Sequence, residues 1–158
     1  MERRQSRVTR QCQCGCTLTE QTGHIIASAH QRCQKSVRRW TIHVQPQYTI
    51  SLTIINFTLS HLSSVLVYDS TTPTAAGTQL PLLVKLNKDA DEDASRTLMT
   101  SGNRMLIKYV TVNNNVSAVR NNDGFIASYV ATNQLTGTVL RAAIFTLMLP
   151  LSSTLLFT

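Results

Sequence analysis

Residues 40 to 54 alternate almost without exception. Trp40, Ile42 and Val44 are separated by Thr41 and His43; after Gln45-Pro46-Gln47, Tyr48, Ile50, Leu52 and Ile54 are separated by Thr49, Ser51 and Thr53. A period of two sends successive side chains to opposite faces of a pleated strand, whereas a helix would spread the same apolar set around its circumference. The segment therefore predicts two strands joined by a short turn, each with one face in a core. At 54–57 the pattern slips by one residue, and Ile55, Phe57 and Leu59 carry it on, which predicts a bulge. Four further segments, 65–68, 82–86, 105–112 and 125–130, read as strands. The stretches between them, 70–77, 87–95 and 113–124, are rich in turn formers, acids and Asn. Short strands at this spacing, with no internal repeat and no long helical periodicity before Leu135, predict an all-β fold, an antiparallel β-sandwich.

Composition narrows the class. The chain has 158 residues, 42% apolar and only 15% charged, which suits one domain and excludes a coiled coil or a chain too polar to fold. Hydroxyl and amide side chains fill the gap left by charge, a profile of extracellular β domains. The net charge of +7 suggests a polyanion partner until it is mapped. Eight of the fifteen Lys and Arg lie in residues 1–40 against two Glu, and the other 118 residues hold seven basic and six acidic groups. The excess belongs to a basic leader, 1–13, and the segment after it, and a solvated arm is the simplest reading.

The ends divide the chain further. The first ten residues contain no apolar run and are not a secretory signal, so an extracellular reading expects either a non-standard export route or a longer natural N-terminus. Residues 142–158 carry no charge at all. Behind a polar spacer, 132–141, such a tail fits a glycolipid-anchor signal, a short membrane segment, or a last core element.

The strongest chemical cluster is Cys12, Cys14, Cys16 and Cys33 with His24 and His30. Zinc sites favour gaps of two to four residues, and one-residue gaps cannot bring three thiolates to a tetrahedron without strain. The reading preferred here is one disulfide from Cys14 or Cys16 to Cys33, closing a loop of roughly 20 residues worth about 3 kcal/mol. Asn56-Phe57-Thr58 and Asn115-Val116-Ser117 are glycosylation acceptors; Asn115 lies in an Asn-rich loop, whereas Asn56 falls at the slip, where half-burial is expected. Asp89, Asp91, Glu92 and Asp93 read as a solvated loop. No Gly-x-Ser-x-Gly elbow and no His-x-x-x-His pair is present, so no catalytic residue is assigned.

The punctuation of the strands resembles the CUB domain, an extracellular β-sandwich of about 110 residues. Cys14-Gly15-Cys16-Thr17-Leu18 and Gly23-His24-Ile25-Ile26-Ala27-Ser28 are similar to its opening. Trp40-Thr41-Ile42, Ile50–Phe57, Val65-Leu66-Val67-Tyr68-Asp69, Ser101-Gly102-Asn103 and Gly124-Phe125-Ile126-Ala127-Ser128-Tyr129 follow in the family's order. The resemblance covers 14–131 and implies a CUB-like jelly roll. Its departures matter: the slot of the family's second cysteine is Arg38, the third falls near Ser60, and the fourth near Val84-Lys85. The slots of the family's calcium acids fall near Ser63 and at Thr111-Val112-Asn113, so no metal and no cofactor are expected.

These readings converge on a non-catalytic extracellular or cell-surface recognition domain. It would bind a protein or glycan partner through the loops 60–64, 70–80, 87–95 and 113–123, with the C-terminal tail as a membrane tether and nucleic acid disfavoured. The alternative is an intracellular basic protein using Arg3, Arg4, Arg7 and Arg10 on phosphates and the cysteines on zinc. A third reading is a partial reading frame of a larger surface protein.

Overall fold

The computed structural model describes residues 12–28, 33, 35–71, 79–90, 96–111 and 123–135. Nine strands run in chain order: β1 (Thr17–Leu18), β2 (Thr22–Ser28), β3 (Val37–His43), β4 (Tyr48–Thr58), β5 (Ser63–Asp69), β6 (Leu82–Leu86), β7 (Arg96–Met99), β8 (Arg104–Thr111) and β9 (Gly124–Asn133). They form a five-stranded sheet, β1-β3-β8-β5-β6, and a four-stranded sheet, β2-β9-β4-β7. Every pairing is antiparallel except β1 with β3. The all-β sandwich expected from the alternation is the observed architecture.

The alternating apolar set is the core. Trp40 and Ile42 from β3, Ile50, Leu52 and Ile54 from β4, Val65 and Val67 from β5, Met105 and Ile107 from β8, and Phe125 and Ala127 from β9 are all buried between the sheets. Trp40 meets Phe125 edge-on, with ring centroids 5.7 Å apart and planes at 88°. That arrangement sets the positive ring edge against the negative face of its partner. The slip at 54–57 is a bulge: Ile54 pairs with Ala127 and Asn56 pairs with Ile126, leaving Ile55 without a cross-strand partner. The extra residue resets the phase, so that Phe57 and Leu59 re-enter the core. Strand β7 was not legible because its four residues show no alternation long enough to read.

The strand registers sort the connections into two ends. Thr58 pairs with Gly124 and Gly124 with Ser28, while Ser63 pairs with Thr111 and Val65 with Leu86. The connections after β2, β4, β6 and β8 therefore leave the sandwich at one end, and those after β3, β5 and β7 at the other. Three of the four loops singled out from sequence share the first end; 70–80 belongs to the opposite one. Residues 72–78, 91–95 and 112–122 in those loops lie outside the described residues, as do most of the leader 1–13 and all of the tail 142–158. Among the described residues, no helix is long and apolar enough to cross a membrane.

Gly124 is demanded by close approach. A Cβ placed there would lie 2.1 Å from the carbonyl oxygen of Ala27 in the adjacent strand, a backbone atom that cannot step aside as a flexible side chain would. Gly124→Ala should push β2 and β9 apart and lower stability by about 1–3 kcal/mol. The shift of the urea midpoint checks this, with Ala127→Gly as a contrasting loss of core volume on the same strand.

Candidate functional site

The four cysteines form a knuckle at one edge of the sandwich. Cys14 is bonded to Cys33, and Cys12 to Cys16, so two bridges stand where one was expected, and Cys16 is not joined to Cys33. The reason is local. Gly15 has φ +104° and its N–H donates to the Cys12 carbonyl, a turn that brings the Cα atoms of Cys12 and Cys16 to 5.1 Å. A side chain on Gly15 would also strike the backbone of Arg39. The indole Nε1–H of Trp40 donates to the Cys12 carbonyl at 2.7 Å, and Thr41 N–H donates to the Cys16 carbonyl. The knuckle is thereby fixed to β3. With every sulfur oxidised, no thiolate is left for zinc, and no group of three metal-ligating side chains gathers among the described residues.

The first loop end is held by a buried polar network that the sequence did not disclose. Asp123 is 1% exposed. One carboxylate oxygen accepts from the Ser60 N–H at 3.3 Å and from the Ser63 hydroxyl, and the other accepts from the Tyr109 hydroxyl at 3.2 Å. Ser60 and Ser63 also share a hydroxyl–hydroxyl bond of 3.0 Å. Arg38 points inward in phase with Trp40 and Ile42. Its guanidinium stands 5.4 Å from the Tyr109 ring centroid and donates to the Ser28 carbonyl at 2.7 Å. Burial, and then the Asp123 carboxylate, push the Tyr109 hydroxyl up to about 12. Burial also lowers Arg38, opposed by Tyr109. At the opposite end burial acts to raise Asp69, but the N–H donors of Ser101 at 2.7 Å and Thr71 at 3.0 Å outweigh it, and its carboxyl is lowered.

The two outer faces differ sharply. On the five-stranded sheet Arg39 pairs with Lys108, Lys108 with Leu66, and Leu66 with Lys85, so three cations lie in one row across four strands. Arg104 stands exposed four residues before Lys108 on the same face. Lys108 rests its ammonium 4.8 Å from the centroid of the Tyr68 ring. A groove of ≈ 280 Å³ continues the row, bounded by the cysteine knuckle, Lys35, Arg39, Thr17 and Thr41. Like charges directly opposed across strands are destabilising, so fold stability does not select this row. The outer face of the four-stranded sheet instead carries Thr, Ser and exposed Ile side chains.

The sandwich is matched by solved structures. The CUB1-EGF-CUB2 domain of human MASP-1/3 aligns with a TM-score of 0.56 and 18% identity, over 77% of this chain and 45% of that one. The CUB1-EGF-CUB2 domains of rat MASP-1 align at 0.52 and 17%, over 75% and 42%. The extracellular region of zebrafish Gpr126/Adgrg6 aligns at 0.52 and 20%, over 76% and 15%. The chain has a divergent CUB-like fold. It spans less than half the length of those three structures. No family model matches the chain, and no curated protein matches its sequence.

A further CUB structure, the MASP-1 CUB2 domain bound to Ca2+, aligns at 0.50 and 14% identity over 72% of this chain. The described residues do not fit that ion. Ser63, near one slot where the CUB resemblance places an acid, and Thr111, the first residue of the other slot, are direct cross-strand partners and offer hydroxyls; residues 112 and 113 of that slot lie outside the described residues. The Thr111 hydroxyl donates to the Ser36 carbonyl, and both Asp123 oxygens are taken by donors. Calcium needs several free carboxylate or carbonyl oxygens converging on one point, and the described side chains supply a closed hydrogen-bond network in their place. Asn56, expected half-buried, is exposed on the outer face of β4 beside the bulge; Asn115 lies outside the described residues.

Two outcomes follow. Asp123→Ala leaves the Ser60 N–H and the Ser63 and Tyr109 hydroxyls without their acceptor and should cost on the order of 3 kcal/mol, read from denaturant midpoints. Because the folded-state value of Tyr109 lies above its ordinary value of 10, the folded state holds that proton more tightly. Its contribution is complete below pH 10 and is lost as pH rises toward about 12. Tyr109→Phe should flatten that alkaline fall in stability relative to the parent protein.

Proposed function

We propose that this chain is a non-catalytic extracellular recognition module that binds a polyanionic partner, a sulfated glycan or an acidic protein segment, along the outer face of its five-stranded sheet. The observation that carries the reading is the row Arg39–Lys108–Lys85 with the Lys35 groove at its end. The CUB-like fold supports the extracellular context, as do two disulfides in so short a segment. A row of cations on a sheet suits a linear polyanion, because strands about 4.8 Å apart set Arg39 beside Lys108 and, past Leu66, Lys85 two strands further on. Leu66, Leu106 and Tyr68 between the cations offer apolar ground for sugar rings or side-chain stems. The loops at the first end remain a second route to a protein partner. Tethering at a cell surface through residues 142–158 belongs to the same proposal. The zinc alternative loses its ligands, since all four sulfurs are engaged in disulfides.

Arg39→Gln combined with Lys108→Gln should weaken retention on an immobilised sulfated polysaccharide at least tenfold while leaving the melting temperature within a few degrees. The slope of log affinity against log salt should fall by about one per cation removed, as for phosphate contacts on other polyanions. Unchanged retention would sink the face as the binding surface. Display on animal cells expressing the native transcript, and release by a phospholipase specific for glycolipid anchors, test the tether separately.

A further inference from the structure

We infer that Asn56 carries an N-linked glycan whose first sugars lie over an apolar patch on the four-stranded sheet. The inference rests on the extracellular reading and adds to it a specific modification and the surface that it covers.

Three observations meet at this position. First, Asn56-Phe57-Thr58 is an acceptor sequence whose side chains the strand separates correctly: Phe57 is buried in the core, Asn56 is exposed, and Thr58 is half-exposed on the same outer side. The bulge between Ile54 and Asn56 interrupts the β4–β9 ladder beside the acceptor. Second, five of the seven exposed large apolar side chains among the described residues lie on this sheet: Ile26, Ile55, Met99, Ile126 and Val130. Ile26 pairs with Ile126, and Ile126 pairs with Asn56, so the amide stands at the end of the apolar row. Ile126, the cross-strand partner of Asn56, is 39% exposed, Ile26 beyond it 55%, and Ile55, the preceding residue on β4, 53%. Third, a groove of ≈ 200 Å³ opens at the same place, lined by Ile26, Ser28, Asn56, Thr58 and Ile126 among others.

The rest of the face says what covers it. The side chains described on it are Thr22, His24, Ser28, Thr49, Ser51, Thr53, Thr97, Ser128 and Thr132, with no Lys, Arg, Asp or Glu among them. Contiguous exposed apolar surface on a flat sheet without charged gatekeepers is an association hazard. A pyranose ring answers it, since its C–H face packs on aliphatic groups while its hydroxyls face water and the neighbouring Thr and Ser.

The chemistry is balanced by a lipid-diphosphate-linked oligosaccharide as donor. The Asn56 amide nitrogen forms a bond to the anomeric carbon of the first sugar, the bond from that carbon to the diphosphate oxygen breaks, the lipid diphosphate leaves with the electron pair, and the amide gives up one proton.

The test expresses the full chain behind an added secretory signal in animal cells, so that delivery does not depend on the chain's natural route. The probe is an endoglycosidase that removes N-linked glycans. Asn115→Gln should retain an enzyme-sensitive mobility shift that Asn56→Gln and Thr58→Ala both lose, and Thr58→Ser should keep. Secreted Asn56→Gln should bind an apolar dye severalfold more strongly or move to a dimer on size exclusion. Adding Ile126→Thr to it should reverse that change. A folded secreted chain without a glycan on Asn56 overturns the inference, as does a glycan whose removal leaves dye binding and oligomeric state unchanged. Failure of the native transcript to reach the cell surface would instead count against the extracellular reading, and the two failures are separately visible.

Discussion

Asp123 stands at the mouth between the two sheets, where its oxygens receive a backbone N–H and two hydroxyls from the β4–β5 connection, β5 and β8. A buried carboxylate is costly unless its lone pairs are filled, so this group stabilises the end only while all three donors stay in place. That requirement ties the turn at Ser60, the start of β5 and the far part of β8 to the residue that opens β9. Arg38 completes the closure from β3, covering the Tyr109 ring and reaching the end of β2 through Ser28. Elements of both sheets thus meet on one polar cluster.

The same cluster explains how the chain departs from the CUB pattern without losing the fold. Arg38 occupies the slot that the resemblance gives to a second cysteine and Ser60 stands near that of a third, while Ser63 and Thr111 stand near or within the slots of calcium acids. Each replacement is polar and each makes a hydrogen bond. Ser60 and Ser63 join the Asp123 network, while Arg38 and Thr111 make separate bonds to the Ser28 and Ser36 carbonyls. The two disulfides serve a different place: they bind the N-terminal knuckle to the outer edge of the sheet at β1. A paired and capped edge strand offers fewer free backbone groups to another chain.

Much of this was legible in the sequence. The alternation of β3 and β4 located the core, and the slip at Ile55 located the bulge, because a pleat allows only one phase per face. Arg38 carries a readable signal of its own: it is in phase with Trp40, Ile42 and Val44, so a pleated strand turns it inward with them, and only its charge argues for the outside. Asp123 gave no such warning, since its burial depends on Ser60, Ser63 and Tyr109, which lie 14 to 63 residues away. The Cys12–Cys16 bridge is not legible in the spacing, because pairing at a separation of four needs a tight turn, which the Gly15 conformation supplies here.

Net charge was the most misleading summary. Beyond residue 40 the chain is almost neutral by count, which argued against a polyanion surface. The fold separates what the count combines. Asp123 is buried, Asp69 is spent on turn N–H groups and Asp89 lies in the β6–β7 connection, so none of these three belongs to the cross-strand row formed by Arg39, Lys108 and Lys85, and residues 91–93 lie outside the described residues. The opposite sheet presents hydroxyls and Ile side chains. A sandwich sorts its residues by strand phase and not by sequence distance, so a nearly neutral body can have one cationic face and one uncharged face. That polarity gives the domain a front and a back: a polyanion has reason to meet the first, and the second needs a cover that carries no charge.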